Sequence, residues 1–513
     1  MKFSFFSYCQ KRLLVVGLLS LIVGYSFGVT NVQREMLVHY LIPGSLRFIK
    51  NHEALRITVS TRIERPVMIV LNSSIFFGSS IGSLIVTFIT NRFGKVKTLL
   101  VTFSLFALGS FLCVKKELLI FSLGRFISGI GTGISFLLTP SYIQELTNKQ
   151  NQNLCLALHK VMFCCGILLS YLLSNIIPSF IKYFIKKQLI VNFNYNLLNG
   201  LQNYHEGLLE YPNHNEIVTK LHKYYLCSTI SVRTLFLIPF IISASLLIIS
   251  FFKNFDETPL HYIKIGDISR AEEIAREIYG VNDTRKIIKK LLDEGGNDVP
   301  RSNLLQILVD PSLRMTLIFI LIVVFTGIST GFVPLVTSSK IFTRYLNINH
   351  DLSAIIIALN GCFLVIFTFS GIFFEVYIGS KRLLLFGLVL NLLSLTSICF
   401  FLYYYNQGSI VNKIVSIAFI VSITSYGFGI IPTMSKIISN NLPKQLYSAF
   451  IPFILVFFWL TAALSTILIE LLPIPIMTFI YAFLTFFSLV SISIINYKYI
   501  EYSDQVLRDS YIT

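Results

Sequence analysis

The chain has 513 residues, 54% of them hydrophobic and only 13% charged, whereas soluble globular chains carry about 25% charged residues. Apolar runs of about 20 residues recur from end to end, which excludes a soluble globular protein and describes a polytopic membrane protein embedded in a lipid bilayer. The net charge of +17 falls on no soluble basic run interleaved with aromatics, so nucleic acid is not an expected partner, and basic loops beside anionic lipid headgroups account for it.

The opening MKFSFFSYCQKRLLVVGLLSLIVGYSFGV has the cast of a signal peptide. No small-x-small site ends the run, however, and many spans follow, so it reads as the first helix, over 12–30. A loop over 31–66 leads to spans near 67–90, 98–115, 118–142 and 154–177, and a second long loop, 178–232, precedes the sixth span at 233–252. The polar stretch that follows contains SRAEEIAREIYG and TRKIIKKLLDE, each patterned as a short amphipathic helix. Six more spans lie near 313–336, 352–374, 382–404, 411–436, 446–470 and 473–495. The expected domains are a six-helix bundle over 1–252, a helical linker over 253–312, a second six-helix bundle over 313–495 and a tail over 496–513.

The halves echo each other. NRFGKVK follows the second span and YIGSKR the eighth, while glycine-rich GIGTGISF and YGFGIIP fall in the fourth and tenth. Such a weak repeat is what parallel six-helix halves around a central site leave in a sequence. The glycines let helices approach closely, or break them beside a cavity. Lys2, Lys11, Arg12, Arg92, Lys95, Lys97, Lys381 and Arg382 favour a cytoplasmic face for both termini and the linker. The eight cysteines form no CxxC pair and lie mostly in apolar runs, so neither a disulfide framework nor a metal site is signalled. Three titratable side chains inside spans stand out. Arg125 in the fourth and the adjacent His159 and Lys160 in the fifth are costly unless they face a partner, a cavity or the interface.

GRFISGIGTGISFLLTPSYIQE (Gly124–Glu145) resembles the fourth helix of sugar porters in the major facilitator superfamily, and GSSIGSLIVTFITNRFGKVKTLL (Gly78–Leu100) resembles their second helix with its DRxGRR-type loop. DETPLHYIKIGDISRAEEIARE (Asp256–Glu277) is similar to the PESPR segment, VTSSKIF (Val336–Phe342) to the end of the seventh helix and ALHKVMFCCGIL to the fifth. The resemblance implies an all-α membrane protein of the major facilitator fold, with twelve transmembrane helices in two six-helix bundles joined by a cytoplasmic helical linker. It also implies alternating access to a midplane site in a multi-pass protein of the plasma membrane, a transporter rather than an enzyme, with no catalytic residue and no cofactor. Arg92, Lys95 and Lys97 sit at helix ends, with Glu145 and Glu257 as their expected gating partners, and Arg125 takes either a structural or a transport role.

By the same resemblance Lys160 falls where the family places a substrate-binding glutamine, and His159 matches the histidine before it. Elsewhere the pattern departs. The seventh-helix QQLSGIN becomes TGISTGF (Thr326–Phe332), which keeps only Ser329 and puts Phe332 at the asparagine. Thr433 stands at the tenth-helix tryptophan, the single tryptophan is Trp459 in the eleventh span, and Asn360 lies about a helical turn from the family's eighth-helix asparagine. Ser26 replaces the first-helix aspartate of proton symporters, with Asn31 just beyond it. A serine does not exchange a proton near neutral pH, so facilitated diffusion is expected, with His159 or Glu375 as the alternative proton carriers. The expected substrate is a small molecule, a hexose such as glucose. It would be bound by Lys160, His159, Ser26, Asn31, Ser329, Asn360 and Thr433 between walls of Phe332 and Trp459. An anionic sugar phosphate or carboxylate is the alternative substrate, because Lys160 replaces a neutral amide. A non-transporting solute sensor is the alternative function.

Overall fold

A computed structural model describes residues 2–42, 46–51, 54–59, 61–147, 149–188, 214–252, 256–279, 311–404, 408–441 and 444–512. The segment TRKIIKKLLDE lies outside the described residues. Among the described residues twelve helices are long and apolar enough to cross a membrane. In the first half they are Lys2–Gly28, Thr61–Phe93, Lys95–Leu112, Leu118–Leu146, Lys149–Gln188 and His214–Phe252. In the second half the seventh span is built from Pro311–Ser329 and Phe332–Tyr345. The eighth is His350–Ile378 and the ninth Ser380–Tyr404. The tenth runs from Ser409–Ser425 through Tyr426–Ile430 into Ile431–Asn441, and Lys444–Leu471 and Ile474–Ile512 complete the set. Phe88, Leu119, Ile241, Ile366 and Phe483 point outward and are exposed, the inverse of a soluble protein and the pattern a lipid-facing surface requires.

The stretch 31–66 is more than a loop. It holds the short helix Arg34–Leu41 and an antiparallel hairpin, Leu46–Asn51 paired with Ala54–Val59 in the register Leu46↔Val59. This end of the molecule is the loop face. The opposite end is the linker face, where the helices Pro259–Ile265 and Ile268–Tyr279 lie. The second of these buries Ala271, Ile274 and Ala275, and Ile274 packs in one cluster with Val16, Val96, Tyr142, Ile143 and Leu146, so SRAEEIAREIY forms the amphipathic helix its pattern predicts.

The glycine runs do two different things. Second and fourth helices interlock through Gly78, Gly82, Gly129 and Gly133: a Cβ at each would stand 2.1 Å from a carbonyl oxygen of the facing helix. Only glycine permits that approach. In the tenth span the run YGFGI instead forms a π turn, a local widening that recurs at functional sites. The seventh span breaks at Gly331, whose φ of 71° is left-handed and therefore suits glycine.

The halves meet along two seams, second helix against eleventh and fifth against eighth. Advancing each member by six turns one seam into the other, as two repeated halves related by a twofold axis require.

A central cavity open to the linker face as candidate functional site

Between the halves lies a cavity of about 1120 Å³. Its deep wall is aromatic: Phe27, Phe76, Phe136 and Phe163 from the first half, and Phe332, Tyr426, Phe458 and Trp459 from the second. Trp459 packs edge-on to Phe136 with centroids 4.8 Å apart, and its indole nitrogen donates to Ser83 Oγ at 3.0 Å across the second–eleventh seam. Phe332, the first residue after the seventh-helix break, stacks on Tyr426 of the π turn with centroids 3.7 Å apart. Two irregular points of the second half therefore meet on the cavity wall. Towards the linker face the lining turns polar, with Gln144, Gln152 and Asn153 opposite Glu375 and Lys436.

Lys160 and His159 both line this cavity. Lys160 Nζ donates to the Pro432 carbonyl at 2.7 Å, linking fifth and tenth helices. Ser20 Oγ donates to Val16 O at 3.1 Å, which leaves it to accept from His159 Nδ1. Glu375 accepts from Ser380 Oγ at 2.8 Å and lies 3.4 Å from Lys436 Nζ.

The loop face is sealed by polar contacts that cross between the halves. Asn31 donates to Val336 O at 2.8 Å and to Ser339 Oγ, and accepts from Lys340 N at 3.1 Å. Tyr171 donates to the same Val336 carbonyl at 2.8 Å, and Lys340 Nζ to Val32 O at 2.8 Å. Above these lies an ion network. Arg34 reaches Glu470 at 2.7 and 2.8 Å and Glu64 at 3.0 Å. Arg344 reaches Glu64 at 2.9 Å and Glu35 at 2.7 Å, and Ser338 donates to Glu470 at 3.3 Å. Burial would lower the Arg34 guanidinium, but the carboxylates of Glu470 and Glu64 outweigh it and hold the group above its ordinary value.

On the linker face ion pairs form within the first half as well as between Glu375 and Lys436 of the second. Lys95 Nζ lies 2.6 Å from Glu145 and donates to Ser141 O at 2.9 Å. The Glu257 carboxylate accepts from the backbone N–H groups of Val96 and Lys97, both at 3.0 Å, and so caps the third helix where orphan donors and the helix dipole favour an anion. Arg92 and Lys97 side chains are exposed, and neither reaches a carboxylate among the described residues. Arg125 is buried and donates to the carbonyls of Ser26 at 2.7 Å and Leu71 at 3.5 Å, which ties first, second and fourth helices together.

Of the expected binding residues, Lys160, His159, Phe332 and Trp459 line the cavity. Five others are buried elsewhere. Ser26 bonds to Ile22 O beside Arg125, and Asn31 forms part of the loop-face seal. Ser329 accepts from Ser488 inside the second bundle, and Thr433 donates to Gly429 O at 2.5 Å in the π turn. Asn360 is 1% exposed, and among the described residues both polar atoms of its side chain lack a hydrogen-bond partner. Sequence reasoning missed Arg34, Glu35, Glu64, Arg344, Glu470 and Lys436. Their common signal is a charge near the end of an apolar span.

The family profile described as "Sugar (and other) transporter" matches residues 13–200 and 217–509. Among curated relatives, hexose transporter 1 of Plasmodium yoelii yoelii is 27% identical over 332 residues, 62% of this chain and 57% of that protein. The matched region therefore spans little more than half of that relative. Hexose transporter 1 of Plasmodium falciparum (isolate 3D7) is 24% identical over 76% of this chain and 69% of that protein. Among solved structures, the xylose transporter XylE from E. coli in a partially occluded inward-open conformation is similar with a TM-score of 0.66 and 16% identity, covering 94% of this chain and 97% of that one. The proton:xylose symporter XylE bound to 6-bromo-6-deoxy-D-glucose gives 0.70 at 16% identity, covering 94% of this chain and 95% of that one. Those likenesses carry the twelve-helix, two-bundle fold. With the family profile matched along nearly its whole length, the chain is a multi-pass integral membrane protein that belongs to the Sugar (and other) transporter family.

Proposed function

We propose that this protein moves a hexose-class sugar across the plasma membrane by alternating access and facilitated diffusion, with the linker face and both termini cytoplasmic. One observation carries the reading: the cavity between the halves reaches the linker face, while its other end is closed by the Asn31, Tyr171, Arg34 and Arg344 contacts. A passage open on one side and closed on the other by breakable polar contacts is half of an alternating-access cycle. The transporters named among its relatives support a sugar as cargo. Lys160, His159, Phe332 and Trp459 form the substrate site in this state, with aromatic faces for the ring and few polar groups to orient it. Ser26 puts a non-titrating hydroxyl, with Arg125 on its carbonyl, at the point where a coupling carboxylate is missing, which supports passive flux. The test is uptake of labelled glucose into proteoliposomes with and without a pH gradient. Uptake unaffected by the gradient is expected. Uptake only with a gradient overturns the passive reading, and none of any sugar overturns transport.

A further inference from the structure

The cavity has an imbalance of charge that a neutral hexose leaves unanswered. The hydroxyls of Ser20, Thr90, Ser135, Ser141 and Thr337 each donate to a carbonyl of their own helix, so their protons are committed before a substrate arrives. The charged donors on the lining are Lys160 and Lys436, accompanied by the carboxylate of Glu375. Glu375 is occupied by Lys436 and Ser380. Lys160 spends one of its three ammonium protons on Pro432 O, and among the described residues no carboxylate stands within ion-pair distance of it. A lysine held in an apolar-walled cavity by one backbone carbonyl is costly. A counter-charge brought by the cargo removes that cost.

We propose that the preferred cargo is a hexose derivative bearing one negative charge, a hexuronate, its carboxylate on Lys160 and its ring against Phe332 and Trp459. This rests on the transporter reading above and narrows its substrate. A single carboxylate neutralises the one uncompensated charge. A phosphomonoester, at about −1.5 to −2 near neutral pH, leaves excess negative charge beside Glu375.

The experiment measures labelled glucose and labelled glucuronate flux into proteoliposomes of the full chain, with unlabelled glucuronate, glucose and glucose 6-phosphate as competitors. Glucuronate is expected to compete at least tenfold more effectively than glucose. Its flux should also follow an imposed potassium diffusion potential, because a passive carrier moving an anion moves charge. Lys160→Gln should remove the preference and Lys160→Arg should keep it; the potential dependence of the unaltered protein is a readout that needs no variant. Equal potency of glucose and glucuronate, or glucuronate flux indifferent to the potential, overturns the proposal while glucose transport stands. Stronger competition by glucose 6-phosphate overturns the carboxylate assignment. Absence of flux for both labels overturns the transporter reading and the proposal with it.

Discussion

Arg34 lays two guanidinium nitrogens on the carboxylate of Glu470, at 2.7 and 2.8 Å, and both side chains are buried. The two residues belong to opposite halves of the protein, so this planar, two-pronged pair closes the loop face rather than stiffening one bundle. Glu64 sits between Arg34 and Arg344, at 3.0 and 2.9 Å, and extends the closure to the end of the seventh span. For the cavity to open on this face, these contacts must separate.

Removing the Glu470 charge leaves buried Arg34 with the Glu64 carboxylate alone, which it shares with Arg344, and breaking a buried ion pair is destabilising. Glu470→Gln should therefore shift the protein towards a state open on the loop face. With Ser339→Cys as reporter in a background lacking the native cysteines, an impermeant thiol reagent applied from that face should label at least tenfold faster. Labelling at an unchanged rate contradicts a gating role for the pair.

The glycine seam of the first half predicts a sharp contrast between two alanine substitutions. Gly129→Ala drives a methyl group to 2.1 Å from Ile75 O, a backbone atom that cannot turn aside. It should cost at least the 1–3 kcal/mol typical of overpacking and abolish recovery of folded protein in detergent. Gly17→Ala meets only the Met162 side chain, at 3.7 Å, and should be recovered normally by size-exclusion chromatography.

Glu257 caps the third helix from the start of the linker, so Glu257→Ala should lower stability by about 1 kcal/mol, read as a lower melting temperature. Glu257→Gln keeps an acceptor oxygen and should lose less. Arg92→Ala removes an exposed side chain with no carboxylate partner among the described residues, and should stay within about 0.5 kcal/mol.

Trp459 is the single tryptophan of the chain and lies on the cavity wall, so tryptophan emission, excited selectively over tyrosine, reports on the site alone. Titrating a transported sugar should give a saturable change in that emission, and a sugar that is not transported should give none. Trp459→Phe deletes the hydrogen bond to Ser83 and should cost about 1 kcal/mol.

The fold was largely legible because a bilayer imposes one demand everywhere: long apolar runs, which number twelve among the described residues. The glycine seam and the π turn both fell on runs that stand out in the sequence, Gly78–Gly82 with Gly129–Gly133, and YGFGI. Lys160 was legible for the same reason, as a charge in an apolar span now found on the cavity wall. The loop-face network was not, because Arg34 and Glu470 are 436 positions apart and no spacing rule links them. Nor does residue type tell which way a helix turns: Ser26, Ser329 and Thr433 are polar, yet they spend their hydroxyls on neighbouring helix groups. Asn31 was expected at the substrate and instead closes the loop face in this state.

On the proposed cycle one cavity serves both faces in turn, without an ion gradient. Counterflow tests it most directly. Proteoliposomes loaded with excess unlabelled sugar are diluted into labelled sugar in the presence of a protonophore, and internal label is followed over time. Internal label should transiently overshoot the external concentration, unchanged by the protonophore. Label that never rises above equilibration, or rises only when a proton gradient is maintained, would contradict it.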